Sequence, residues 1–176
     1  MPDAATKPVP RRPGIPVSVA MFSALALAGI LLVPPRPFLL WNASASSPVG
    51  LYAVMPGDSL RAGETVIAWA PPGARRLAEI RNYLPAGVPL VKQVAAVSSA
   101  RICAIGAKIF VNGRLAAFRL VRDPFGRPMP WWSGCERLNA GDLFLLSPDA
   151  DAFDGRYFGA TRPGEVIGKA LLLWRR

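Results

Sequence analysis

The feature that most limits what this chain can fold into is an apolar run of nineteen uncharged residues, Ile15 to Val33. At about 1.5 Å per residue, a helix of that length nearly spans a hydrocarbon core of about 30 Å, so the run predicts a single transmembrane helix. The alternative is a cleaved secretory signal, whose apolar region usually covers about 7 to 15 residues. The longer run, followed by Pro34-Pro35-Arg36-Pro37, favours a retained anchor.

Charge on the two sides of this run predicts its orientation. Residues 1–14 carry three basic side chains against one acid, whereas only Arg36 follows shortly after the run. Because positive charge gathers on the cytoplasmic side of a membrane helix, we expect a cytoplasmic basic tail over 1–14 and a span over 15–33. Residues 38–176 then form a periplasmic domain of a single-pass protein in a bacterial inner membrane.

The composition after the run favours β structure. Nineteen prolines and sixteen glycines are spread along the chain without a repeat, which indicates many turns and few long helices. Asn112-Gly113 predicts a type I′ hairpin turn, because both residues tolerate positive φ angles. The other predicted strands are Thr65–Trp69, Val88–Val97, Leu143–Leu146 and Val166–Trp174. Leu77–Tyr83 is predicted to be a short helical or irregular insertion. Leu120–Trp132 and Asp149–Phe158 are predicted to be loops.

Three serines lie together in the segment Asn42–Tyr52, which reads NASASSPVGLY and begins soon after the apolar run. A serine hydroxyl is a poor nucleophile at neutral pH unless a base activates it. The chain has no histidine, so a Ser-His-Asp triad is excluded. If one of these serines is a nucleophile, we expect a lysine as its base.

Three segments in order, Asn42–Tyr52, Pro89–Val97 around Lys92, and Asp154–Gly159, resemble the signature boxes of the type I signal peptidase superfamily (peptidase S26). The first resembles the pattern Asn-x-Ser-x-Ser-x-Pro-x-Gly-Leu-Tyr of the conjugative-transfer, TraF-like signal peptidases at every fixed position. The resemblance implies an antiparallel β-sheet catalytic domain behind a membrane anchor. It also implies a serine endopeptidase that uses a Ser-Lys dyad.

In this resemblance Ser46 takes the place of the nucleophile, two positions before Pro48. Ser44 lies where relatives place a hydroxyl that helps the nucleophile's main-chain amide to bind the oxyanion. Ser47 and Ser44 are the competing candidates for the nucleophile, although Ser47 precedes proline and is therefore held extended. The alternative is that all three serines merely cap and solvate a loop.

Lys92 matches the general base. To accept a proton it must be neutral, although a free lysine has a pKa of about 10.4, so burial has to lower its pKa. If its segment is a strand, Leu90 and Val94 share its face and supply an apolar environment. The alternative is a lysine whose stem packs along a strand while its ammonium group reaches water.

Asp154 matches the acid of the third box, and we expect it to pair with Arg156 and to support the surroundings of Lys92. The alternative is a solvated salt bridge worth less than about 1 kcal/mol. Many superfamily members have a serine two residues before this acid, where Ala152 stands here. A hydroxyl contact to the lysine amine is therefore missing unless Ser147 or a water supplies it.

Cys103 and Cys135 are the only cysteines, and in an oxidising compartment they permit one disulfide, with two separate thiols as the alternative. We expect no catalytic role for either. No metal-ligand cluster or phosphate-binding glycine loop is recognisable, so we expect no metal and no cofactor.

The implied function is cleavage of an exported precursor, such as a conjugative pilin subunit, after small residues at the membrane surface. Trp131 and Trp132 are candidates for contact with the bilayer interface. The first alternative is a non-catalytic, membrane-anchored component of a conjugation or secretion apparatus. A nucleic-acid binder, suggested by the net charge of +10, is disfavoured because the basic residues are dispersed.

Overall fold

The computed structural model of the chain describes residues 17–32, 38–57 and 59–176. The chain divides into two compact units, residues 1–36 and 37–176. In the first unit, helix α1 covers Val17–Leu32. Among the described residues, no helix is both long enough and apolar enough to cross a membrane. The predicted tail and both ends of the predicted span lie outside the described residues, so both remain predictions.

The second unit consists mainly of short strands joined by turns. Its described strands are β1 Leu39–Asn42, β2 Gly50–Met55, β3 Thr65–Ala68, β4 Leu90–Ala96, β5 Arg101–Ile105, β6 Lys108–Val111, β7 Arg114–Phe118, β8 Gly134–Arg137, β9 Phe144–Leu146 and β10 Val166–Arg175. Its described helices are α2 Pro72–Ile80, the single turn α3 Gly155–Phe158 and a 3₁₀ turn at Pro163–Glu165.

The strands form two antiparallel sheets. The six-stranded sheet has the order β1-β2-β10-β3-β4-β9, and the four-stranded sheet has the order β7-β6-β5-β8. All the strand pairs are antiparallel. The prediction of a mainly antiparallel β domain is therefore confirmed. Strand β10 comes last in the chain but lies between β2 and β3, and so joins the first hairpin to the rest of the sheet.

The centre of the six-stranded sheet is buried on both faces, because apolar residues on β3 and β4 point alternately to either side. Val66 and Val94 pack with Leu145 on one face. Ile67 and Val91 pack on the other face. Strands that are covered on both sides exclude water, and a polar side chain placed between such residues is desolvated.

The four-stranded sheet contains the predicted hairpin. Val111 pairs with Arg114 across a two-residue turn, in which Asn112 has φ 49° and Gly113 has φ 78°. These are the positive φ angles that a type I′ turn requires, so this prediction is confirmed. In the same sheet Cys103 on β5 lies directly opposite Cys135 on β8, and a disulfide joins them with their Cα atoms 4.0 Å apart.

The predicted strands near β3, β4, β9 and β10 are confirmed, and Leu77–Tyr83 lies partly in helix α2. The predicted polar loop Asp149–Phe158 is wrong at its end, where residues 155–158 form α3. The side chain of Asp154 caps this turn by accepting a hydrogen bond from the Arg156 amide. Strands β1, β2, β5 and β8 were not predicted.

Trp131 and Trp132 make specific contacts within the domain. The indole of Trp132 donates to the Gly155 carbonyl at 3.1 Å and lies edge-on to Phe144. The indole of Trp131 donates to the Leu120 carbonyl at 3.1 Å. Both indole rings therefore connect loop segments within the domain by hydrogen bonds.

Candidate active site

The loop between β1 and β2, residues 43–49, owes its shape to one buried side chain. The Asn42 amide nitrogen donates to the carbonyls of Ser44, Ser47 and Pro48 at 3.0, 3.1 and 3.0 Å. Its amide oxygen accepts from the Ser44 amide at 3.1 Å. Asn42 is 6% exposed, so these bonds are shielded from water. The sequence pattern includes Asn42, but its role is visible only in the folded loop.

Two further residues of the pattern explain how the loop joins β2. The Tyr52 hydroxyl donates to the Pro48 carbonyl at 2.8 Å, and the ring is buried. A Cβ atom on Gly50 would lie 2.1 Å from the carbonyl oxygen of Trp174 in β10, which is too close for any side chain. Glycine is thus required at position 50 by the close approach of two backbones.

The side chains of Ser46 and Lys92 lie next to each other. The Lys92 amine on β4 lies 2.8 Å from the Ser46 hydroxyl oxygen, which is within hydrogen-bond distance. The neighbouring Ser47 hydroxyl donates to the Val91 carbonyl at 2.8 Å, which ties the loop to the same strand. The structure therefore brings the Ser46 hydroxyl to the lysine and directs the Ser47 hydroxyl to the backbone of β4.

Lys92 is buried, with 3% of its surface exposed. It lies opposite Val66 in the sheet, in the buried row that also contains Leu90 and Val94. This burial lowers the pKa of Lys92 to about 8, because an ammonium group is poorly solvated there. The charge of Asp154 acts in the opposite direction and Arg156 adds to the lowering. A substantial fraction of the amine is therefore neutral slightly above physiological pH.

Ser44 lies on the other side of the Ser46 hydroxyl. Its hydroxyl oxygen is 2.9 Å from the Ser46 hydroxyl oxygen and accepts a 3.3 Å hydrogen bond from the Ser46 amide. The Ser44 hydroxyl and the Ser46 main-chain N–H thus converge beside the Ser46 hydroxyl. This pair of donors can serve a carbonyl oxygen that develops negative charge.

Asp154 and Arg156 form a buried ion pair instead of a solvated one. The two residues are 0% and 2% exposed, and the guanidinium donates to the carboxylate at 2.8 and 3.1 Å. All four hydrogen bonds to the carboxylate come from N–H groups, including the amide of Ser147 at 2.8 Å. Burial raises the pKa of Asp154 above its ordinary value, while the charge of Arg156 and these hydrogen bonds act in the opposite direction.

Ser147 links this ion pair to Ser46. Its carbonyl accepts from the Arg156 guanidinium at 2.7 Å, and its hydroxyl donates to the main-chain carbonyl of Ser46. Ser147 is thus directed to the Ser46 backbone and not to the Lys92 amine. Ala152 leaves no hydroxyl of its own at the cleft wall. No sequence pattern in this chain indicated the role of Ser147.

Ser44, Ser46 and Lys92 line a cleft of about 630 Å³. Apolar side chains form most of the remaining lining. A cleft of this size is large enough for several groups of a bound molecule. Within the part of the chain that the structure describes, no three acidic, cysteine or histidine side chains are grouped to hold a metal ion.

The comparison with known families agrees with this geometry. Residues 14–175 match the family described as "Signal peptidase, peptidase S26", and the chain belongs to this family. The predicted resemblance to the peptidase S26 family is thereby confirmed. Relatives among characterised proteins carry names from conjugation.

A probable conjugal transfer protein TraF from Sinorhizobium fredii (strain NGR234) is 33% identical, over 73% of this chain and 73% of the relative. A plasmid transfer protein TraF from Escherichia coli is 28% identical, over 90% of this chain and 94% of the relative. A conjugal transfer protein TraF from Agrobacterium fabrum (strain C58) is 31% identical, over 73% of this chain and 78% of the relative. The chain is thus similar to these proteins over most of their length.

Proposed function

We propose that this chain is a membrane-anchored serine endopeptidase that removes leader peptides from exported precursors with a Ser46-Lys92 dyad. One observation carries the proposal: a buried lysine, whose pKa is lowered to about 8, lies 2.8 Å from a serine hydroxyl that lines an open cleft. A general base needs this contact and a pKa near the working pH.

The reaction begins with neutral Lys92. Its amine takes the proton from the Ser46 hydroxyl while the serine oxygen attacks the scissile carbonyl and forms a tetrahedral intermediate. The ammonium of Lys92 then returns the proton to the leaving amine as the C–N bond breaks. This leaves an acyl ester on Ser46. In the second half, Lys92 takes a proton from water while the water oxygen attacks the ester carbonyl and forms a second tetrahedral intermediate. This intermediate collapses as the C–O bond to Ser46 breaks and the product acid is released, and Lys92 returns its proton to the Ser46 oxygen.

The negative oxygen of each intermediate needs hydrogen-bond donors. We assign this role to the Ser46 amide and the Ser44 hydroxyl, which contact each other at 3.3 Å in the free enzyme. The substrate oxygen replaces that contact and receives both donors. Losing one such donor typically costs about 3 to 4 kcal/mol of transition-state stabilisation. Asp154 and Arg156 support this site without taking part in proton transfer.

The names of the relatives guide the choice of substrate. They are conjugal or plasmid transfer proteins, which supports a precursor of the conjugation apparatus, such as a pilin subunit, as the substrate. Cleavage after small residues on the periplasmic side of the inner membrane follows from the sequence resemblance and from the predicted orientation of the span.

For the contact with lipid we propose the outer face of β1 and β10 in preference to Trp131 and Trp132. Trp41 and Trp174 lie on this face with their rings 5.6 Å apart, and they are 47% and 57% exposed. Tryptophan favours the membrane interface. In vesicles with brominated lipids, Trp41→Phe with Trp174→Phe should remove most of the quenchable fluorescence. Equal quenching in that double variant and the wild type would contradict this placement.

The proposal is tested by expressing the chain together with a candidate pilin precursor. The wild type should release the mature subunit, while Ser46→Ala and Lys92→Ala should leave the precursor intact, and Ser44→Ala should retain more activity than Ser46→Ala. Ser133→Ala and Lys108→Ala are matched controls, because both residues are exposed. Normal processing by both the Ser46 and Lys92 variants would favour a non-catalytic component of the conjugation apparatus.

A further inference from the structure

The segment 121–129, here called the cleft loop, is held rigidly although it contains no helix or strand of its own. Asp123 is 7% exposed and accepts hydrogen bonds from the amides of Phe125 and Arg127 at 3.0 and 2.8 Å. The Arg127 side chain donates to the same carboxylate at 2.6 Å. Burial raises the pKa of Asp123, but bonds from Tyr83 and Arg127 outweigh it and keep the pKa below its usual range.

The cleft loop is also fastened to the segment that follows α2. The Tyr83 hydroxyl donates to Asp123, and the Arg81 guanidinium donates to the Pro128 carbonyl at 2.8 Å. In return, Arg127 donates to the Arg81 carbonyl at 3.3 Å. Two segments that are distant in sequence thereby form one preorganised wall of the cleft.

This rigid loop presents a large apolar ring to solvent. Phe125 is 77% exposed, yet it lines the same cleft as Ser46 and Lys92. Burying a phenylalanine side chain is worth about 1.5 to 3 kcal/mol, and the fold leaves this gain unused. The Arg127 guanidinium lies over this ring, 4.8 Å from its centroid, on a backbone that is itself held by hydrogen bonds. A ring positioned in this way loses less conformational freedom when a ligand covers it than a ring on an unanchored loop would lose.

The remainder of the wall matches Phe125 in chemistry. Leu84 and Met129 belong to the same two segments and also line the cleft, as does Val88, and the cleft volume of about 630 Å³ far exceeds one small side chain. A small residue next to the scissile bond therefore leaves most of the cleft unfilled. The part of the substrate that fills it must be apolar if this wall is to lose its contact with water.

We propose that Phe125 and the neighbouring apolar side chains form a subsite for one bulky apolar side chain of the precursor, close to the bond that Ser46 attacks. The inference rests on the proposed function and adds a second determinant to the small residue at the cleavage point. Phe125 contacts the substrate, whereas Asp123 positions the loop that carries it.

The experiment uses the full chain in detergent with synthetic precursor peptides that differ at one position, where alanine, leucine or phenylalanine stands. At one position near the scissile bond, the wild type should prefer leucine or phenylalanine over alanine by about tenfold or more in kcat/KM. Phe125→Ala should bring this ratio close to one. Val121→Ala is the matched control, because Val121 is an exposed apolar residue of the same loop that does not line the cleft, and it should keep the ratio.

Asp123→Asn supplies a second variant, because it weakens the attachment of the loop while Phe125 remains. It should lower the same ratio, with folding checked by circular dichroism. The subsite would be overturned if the wild type prefers no bulky side chain at any position of the peptide. It would also be overturned if Phe125→Ala keeps the wild-type ratio of kcat/KM values. If the wild type and Ser46→Ala cleave equally or not at all, the proposed function fails. Calorimetric binding of the phenylalanine and alanine peptides to Ser46→Ala then tests the subsite separately.

Discussion

Lys92 on β4 and Arg156 on α3 are both buried cations near Ser46, but their surroundings differ. Arg156 donates to both oxygens of Asp154 and to the carbonyls of Ser147 and Ala150, the latter at 2.8 Å. Lys92 has the Ser46 hydroxyl at 2.8 Å, and apolar residues surround the row in which it lies. Among the residues that the structure describes, the fold thus pairs Arg156 with a carboxylate and leaves Lys92 without one.

The difference indicates two uses of a buried basic group. A paired guanidinium remains charged and fixes the backbone around it, because removing either partner leaves an isolated charge. An amine without a partner is driven toward its neutral form, which is the form that accepts a proton. Substitutions at and around the two side chains can test whether these two roles can be exchanged or weakened.

The largest effect is expected from Lys92→Arg. A guanidinium keeps its proton at every usable pH, so it cannot act as the base even though the charge of the side chain is kept. Cleavage should fall by about 10⁴-fold or more, as it does when one member of a catalytic unit is removed. Precursor turnover measures this, with Lys108→Arg as the exposed control. More than a tenth of the wild-type rate in Lys92→Arg would show that the lysine is not the base.

Asp154→Asn is expected to have the next largest effect, and on stability. It leaves the Arg156 charge buried without its anion, which typically costs about 3 to 5 kcal/mol. Urea unfolding measures the loss. The matched control is Glu64→Gln, because Glu64 pairs with Lys169 at 2.8 Å near the surface, where a pair is worth less than about 1 kcal/mol. Equal losses in both variants would remove the distinction between the two ion pairs.

Lys92→Met should stabilise the protein at neutral pH. The pKa of about 8 in the folded state lies below the ordinary 10.5, so the unfolded chain binds more protons between these values and stability rises with pH there. Below pH 8 the buried lysine lowers the free energy of unfolding by about 3 kcal/mol. At pH 7 the free energy of unfolding of the variant should exceed that of the wild type by roughly that amount. This gap in stability should narrow as the pH rises from 8 to above 10.

Urea unfolding across that pH range measures the gap, with the exposed Lys108→Met as the control, whose stability should change little. A gap that stays constant with pH would mean that Lys92 is not titrating in this window. The same titration predicts that kcat/KM of the wild type rises with pH up to about 8, because the neutral amine is the active form.

The smallest of these effects is expected for Ser147→Ala. The variant removes the hydroxyl that holds the Ser46 carbonyl, and a lost buried hydrogen bond is worth about 1 to 3 kcal/mol. The loss should appear in kcat, by about ten- to a hundredfold, with little change in KM, and Ser147→Thr should recover part of it. A change confined to stability, or an equal loss in Ser133→Ala, would contradict a positioning role.

Much of the candidate site could be predicted because its chemistry constrains residue types within short segments. The absence of histidine and the pattern around Ser46 directed attention to a lysine, and the structure places Lys92 beside that serine. The Asn112-Gly113 turn was predictable for a similar reason, since its φ angles are a local property. Such features are determined within a few neighbouring residues.

The features that escaped prediction depend on contacts between distant segments. Ser147 reaches Ser46 across 101 residues of chain, and Tyr83 reaches Asp123 across 40. Neither residue has neighbours in sequence that indicate its partner. The strands β5 and β8 were missed because they are short and amphipathic patterns over four or five residues are weak.

The place of β10 in the six-stranded sheet has a consequence for when the protein becomes reactive. Ser46 comes from the β1-β2 hairpin and Lys92 from β3-β4, and β10 is the strand that joins these two parts. Because β10 follows every other described strand in the chain, synthesis delivers the connecting strand after both Ser46 and Lys92. The contact between these two side chains therefore depends on residues 166–175, which complete the six-stranded sheet by joining β2 to β3.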